Sequence, residues 1–118
     1  MINKVYIIGM IPIEIDFSIQ MEFRYVQLRL EELGFYVVNP MDLLVDKAKK
    51  KDMAVRLNIK KLLGCDAVYI LPCIDFKNTQ NVELLIALQL DLLMIQDVFY
   101  NEIENVIPDT TKSFLENI

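Results

Sequence analysis

The chain has no histidine and only two cysteines, Cys65 and Cys73, among its 118 residues. Without histidine, and with no Cys-x-x-Cys pair, it lacks the usual ligand sets for zinc or iron, so no metal or cofactor is expected. The two cysteines flank the apolar run DAVYILP. If that run is a strand, a rise of about 3.3 Å per residue puts their α-carbons roughly 25 Å apart, too far for a disulfide. Both read as reduced core or loop thiols.

Also missing is an apolar run near the roughly 20 residues that a bilayer crossing needs. The candidate Val82 to Leu88 is interrupted by Glu83 and followed by Gln89. The opening MINKVYIIGMIPIEID carries one lysine and meets Pro12 and Glu14 without a small-residue cleavage site. It reads as a first strand and not as a signal peptide, so a cytosolic protein with no membrane partner is expected. Basic charge is not in excess either, and a net charge of −5 argues against a nucleic-acid partner. The one basic cluster, DKAKKKD from Asp46 to Asp52, reads as the solvated start of a helix, with a phosphate-binding patch as the alternative.

What is present is a chain 54% hydrophobic with no low-complexity stretch, long enough for one core and too short for two. Lys4 to Ile8 is β-branched and aromatic and ends at Gly9, which predicts a strand and a turn. Ile19, Phe23, Val26, Leu30 and Leu33 recur at helical spacing. Asp16 or Ser18 can cap that helix, and Gly34 fits the left-handed position past its end. FYVV, Phe35 to Val38, is a second strand stopped by Asn39-Pro40. A second helix is expected from about Lys49 to Leu63, with Asp52, Val55, Ile59 and Leu62 in one stripe. DAVYIL is a third strand covered on both sides. A third helix follows, from Thr79 to about Asp91, and then a strand near Leu92 to Ile95.

Such alternation predicts a single-domain α/β three-layer sandwich over residues 1–96, with a parallel sheet of four or five strands and helices on both faces. Residues 97–118 read as a C-terminal helical extension with a Phe99, Ile103 and Val106 stripe, packing on the same domain or on a partner subunit. The third helix is apolar nearly all round. With Val82, Leu85 and Ile86 assigned to the sheet, the Leu84 and Leu88 side is left for a homodimer contact.

In open parallel sheets ligands bind at the carboxyl ends of the strands, here Gly9-Met10, Asn39-Pro40 and Pro72-Cys73. Glu83 is the one carboxylate on the third helix's apolar run and faces that rim. A desolvated carboxylate with a raised pKa would be a site signal, whereas pairing with Lys77 at the helix edge would be a surface role. From the residues alone both readings stand. Asp75 and Asp42 on rim loops could supply an acid or serve as turn residues, and Asp66 reads as structural. Asn39 could touch a ligand or form the turn before Pro40. Tyr6 reads as core, with a hydroxyl at the rim as the alternative.

VYIIGM, LEELGFYVVNP, CDAVYILP and VELLIALQL resemble, in order and spacing, the small domain-of-unknown-function branch of the nucleoside 2-deoxyribosyltransferase-like superfamily. Its members typically read YIAGP, LxxxGYxVVNP, CDAIxLLPGW and SxGAxxExxxAxxLG. The resemblance covers about Val5 to Ile95, and no single motif in it is diagnostic. It implies that Glu83 matches the glutamate that is the nucleophile in the true deoxyribosyltransferases. A carboxylate there attacks C1′ of a nucleoside or nucleotide sugar as the base leaves, then passes the glycosyl group to a second base or to water.

Taking rim position and resemblance together, ligand contacts are expected at Gly9, Met10, Asn39, Asn58, Asp75, Lys77, Asn78 and Thr79. The pattern also departs from the family's. Lys77 and Thr79 replace the serine and glycine of the SxG turn, Cys73 replaces a glycine, and Asn58 replaces an acidic residue. YIAGP becomes YIIGM, with only Gly9 keeping the small residue needed for close approach. These departures weigh against turnover more than against binding. Two functions therefore compete, N-glycosidic cleavage or deoxyribosyl transfer, and nucleotide sensing or sequestration by an impaired relative. A third, a purely structural interaction protein, would leave the Glu83 carboxylate exposed.

Overall fold

The computed structural model describes residues 3–11, 14–46, 48, 50–72 and 81–96. Strand β1 (Lys4–Ile8) leads into helix α1 (Phe17–Glu32), strand β2 (Tyr36–Val38) and the short helix α2 (Met41–Leu44). Helix α3 (Lys51–Leu63), strand β3 (Ala67–Ile70), helix α4 (Val82–Gln89) and strand β4 (Leu93–Gln96) follow. All neighbouring strands are parallel, in the order β2-β1-β3-β4. Chain order therefore reverses between β1 and β3, and the crevice above their carboxyl ends is where such a sheet leaves room for a ligand.

Alternation along the strands divides the core into two layers. Val5, Ile7, Ala67 and Tyr69 meet Phe23, Val26 and Leu30 of α1 on one face. Tyr6, Ile8, Val68 and Ile70 meet Leu62 of α3 and Leu84 and Ala87 of α4 on the other. The result is a sheet with helices on both faces, and the expectation that β3 is covered on both sides holds throughout Ala67–Ile70. Asp66 ties the amino ends of β1 and β3 together, its Oδ2 accepting from the backbone N–H groups of Asn3 and Lys4 at 3.0 and 2.9 Å. Those two bonds, made to the charged form, hold its carboxyl below the usual range.

Helix α1 begins at Asp16 and not at Ser18: the Asp16 Oδ1 accepts from the Ile19 N–H at 2.9 Å. Gly34, with φ of 95°, takes the left-handed position beyond its end.

Two helices face differently from their sequence pattern. In α3 the buried line is Ala54, Asn58 and Leu62, so Val55 and Asp52 turn outward. Asn58 is turned inward because its Nδ2 donates to the Pro40 carbonyl at 3.1 Å, a bond that apolar periodicity cannot register. In α4 it is Leu84 and Ala87 that enter the core, while Val82, Leu85 and Leu88 are exposed. Leu84 is therefore not available for the predicted subunit contact. On a helix apolar on every side, only register against β3 and β4 decides which side is inward, and that register was not in the pattern. The predicted C-terminal extension, residues 97–118, lies outside the described residues.

Candidate active site at the strand ends

Asn81 starts α4. Its side chain accepts from the Leu84 N–H at 2.9 Å, which fixes the first helical turn and with it Glu83. A carboxylate is favourable in that turn, where unpaired N–H groups present partial positive charge. Glu83 lines a cleft of about 350 Å³ together with Gly9 and Ile11 after β1, Val55 and Ile59 on α3, and Asn81 and Val82. The cleft sits at the carboxyl end of β1, on the α3 and α4 side of the sheet. Its described walls are aliphatic apart from Asn81 and Glu83.

The Tyr6 hydroxyl reaches Glu83 from the middle of β1. Tyr6 is fully buried, and neither its hydroxyl nor the Glu83 Oε2 completes a hydrogen bond of regular geometry. They are nonetheless close enough to act on each other. Burial pushes the Glu83 carboxyl up to about 7, partly offset by the Tyr6 hydroxyl. Burial and the Glu83 charge both push the Tyr6 phenol far above its ordinary value, so it stays protonated and can only donate toward the carboxylate. Tyr6 is therefore a core residue, as its sequence suggested, and it does not line the cleft, but its phenol faces Glu83 from beneath.

Gly9 lines the cleft through its backbone, but its small size serves the opposite face. A Cβ there would come within 2.5 Å of the Leu71 Cδ1 and 2.6 Å of the Phe23 Cζ. Met10 is exposed at the same rim. Asn39 does not join them. Its Oδ1 accepts from the Met41 N–H at 3.0 Å and its Nδ2 donates to the Gln27 Oε1 at 3.1 Å, so it holds the turn into α2. Asn58 is occupied by Pro40 and does not line the Glu83 cleft. Asp42 opens onto different grooves, beside α1 and beside β2. Asp75, Lys77, Asn78 and Thr79 lie outside the described residues, as does Cys73. Cys65 is a free, buried thiol donating to the Lys61 carbonyl at 3.3 Å, and burial pushes it up to about 11.

One buried acid has no counterpart in the sequence reading. Glu22 on α1 is 2% exposed, its Oε1 has no hydrogen-bond partner, and burial alone pushes its carboxyl up to about 7. Its position was the available signal: Glu22 falls between Ile19 and Val26, one residue before Phe23, inside the apolar stripe. Among the described residues no three histidine, cysteine or acidic side chains gather as a metal site, and no helix is long and apolar enough to cross a membrane.

The family model of a domain of unknown function, DUF4406, matches residues 3–96, which takes in every element from β1 to β4. No curated protein and no solved structure matches the chain.

Proposed function

The chain belongs to the DUF4406 family, and from that premise we propose that it cleaves or transfers an N-glycosidic bond of a nucleoside or nucleotide, with Glu83 as nucleophile. One observation carries this reading: the Glu83 carboxylate lies in a cleft at the carboxyl end of β1, desolvated and faced by the Tyr6 phenol. The resemblance of VYIIGM and VELLIALQL to deoxyribosyltransferase motifs supplies the chemistry such a pair would serve.

A Glu83 oxygen attacks C1′ as the bond from C1′ to the base nitrogen breaks, the electron pair leaving with the base, which takes up a proton. The glycosyl ester on Glu83 is then opened by a second base, restoring a nucleoside, or by water, releasing the sugar. The Tyr6 phenol facing the carboxylate favours its ionised, nucleophilic form. Val55, Ile59 and Val82 give the cleft an apolar wall against which a sugar or base can pack. Ionised Glu83 is the reactive form, so the rate rises with pH through about 7. A cytosolic setting accords with the free Cys65 thiol.

A second reading, ligand binding without turnover, is favoured by the described walls of the cleft, which contain no second acid to protonate the leaving base. Thermal-shift screening of nucleosides and nucleotides, followed by product analysis on each hit, separates the two. Released base supports the enzyme, and stabilisation with no product supports the binder. No shift with any nucleoside or nucleotide removes both.

A further inference from the structure

A groove of about 460 Å³ lies on the other side of the sheet from Glu83, between α1 and α2. Its walls are Phe17, Met21, Tyr25 and Leu28 of α1, with Met41 and Val45 toward α2. Phe17 is 74% exposed and Leu28 50%, large apolar side chains that the fold of one chain leaves in water. Phe17, Met21, Arg24 and Leu28 follow steps of four, three and four, so they form one stripe on the outer side of α1.

The groove also carries one charge of each sign. Arg24 is fixed at its wall by donating from Nη1 to the Gln27 Oε1 at 3.1 Å, the same oxygen that accepts from Asn39. That single bond leaves most of the guanidinium's five donors unused. Asp42 lines the same groove, and among the described residues neither Arg24 nor Asp42 makes an ion pair.

We propose that this groove is the contact surface of a symmetric dimer, its occupant being α1 of a second copy of the chain. A two-fold axis requires each patch to complement itself, and this patch does so by position and by charge. Two α1 helices lying antiparallel and crossing between Met21 and Arg24 set Phe17 of each copy opposite Leu28 of the other. At a rise of about 1.5 Å per residue those two contacts are roughly 16 Å apart, one at each end of the seam. The crossing places each Arg24 stem on the partner's Met21, and its guanidinium reaches toward the partner's Asp42. Two charge pairs form across the axis from groups that make no ion pair among the described residues of one chain. The Glu83 cleft stays clear, because it opens on the opposite face of the sheet.

The test is the oligomeric state of the full chain, measured by sedimentation over 1–100 µM, about the range in which standard-size contacts form. The proposal expects a dimer. Phe17→Ser with Leu28→Glu, both at exposed positions, should give a folded monomer. Arg24→Asp or Asp42→Arg alone should weaken association about tenfold or more, and the two together should restore it to near the native value. A native chain that is monomeric at 100 µM overturns the proposal. So does a dimer unmoved by the α1 changes but dissociated by Leu85→Glu with Leu88→Glu, a result that assigns the contact to α4. Failure of the combined charge exchange to restore a dimer that the single changes had dissociated removes the antiparallel register.

Discussion

Tyr6 on β1 and Glu83 on α4 face each other inside the protein, a phenol that stays protonated against a carboxyl pushed up to about 7. Removing the phenol takes away the one influence that lowers Glu83, so Tyr6→Phe should raise the Glu83 titration above its native position. Carbon-detected NMR of the glutamate carboxyls reads this directly. The fold should be nearly indifferent, since the hydroxyl lost has no regular hydrogen bond to lose. A Glu83 titration that stays put or falls would show that the two groups do not interact.

Glu22 should make stability depend on pH in a defined direction. Its carboxyl is raised in the folded protein from an ordinary value of 4.5 to about 7. The folded state therefore holds a proton that the unfolded chain releases, and stability is full below pH 4.5 and is lost as pH rises through about 7. Glu22→Gln should remove that dependence, stabilising by on the order of 2–3 kcal/mol at pH 8 and by little at pH 4. Urea denaturation at the two pH values measures it, and Glu83→Gln serves as the comparison for the second raised carboxyl.

Gly9→Ala should destabilise by about 1–3 kcal/mol, because its methyl would collide with Leu71 and Phe23. Trimming the ring with Phe23→Leu in the same chain should recover part of the loss through relief of that collision. Equal and additive losses in the double variant, read from denaturation midpoints, would place the glycine's role elsewhere.

Asn58→Asp restores the acidic residue of the resembled family but should not restore a catalytic acid. At pH 7 a carboxylate would be set against the Pro40 carbonyl that Asn58 now donates to, costing about 2–3 kcal/mol of stability. The cost should shrink near pH 4, where the protonated acid can donate to the same carbonyl.

The strand positions, the strand–helix alternation and α1 could be read from the sequence because they rest on apolar residues at regular spacing. The readings that failed all involve a polar residue turned inward or an apolar one turned out. Asn58 rotates α3 by occupying a core position, and Glu22 does the same within α1 without disturbing its stripe. Helix α2 is a single turn and leaves no periodic trace. At the site, Glu83 stands out as a carboxylate in apolar company, but its partner Tyr6 lies 77 positions away and looks like any core tyrosine. Only the pairing of β1 with β3 and the packing of α4 across them bring the two together.

The central claim is that Glu83 takes the glycosyl group covalently. Mass spectrometry of the protein quenched during incubation with deoxynucleosides and deoxynucleotides tests this directly. A mass gain of one deoxyribosyl group, located on the peptide containing Glu83, accompanied by free base and absent from Glu83→Gln, is the expected result. Base release that persists in Glu83→Gln with no adduct on that peptide would contradict it.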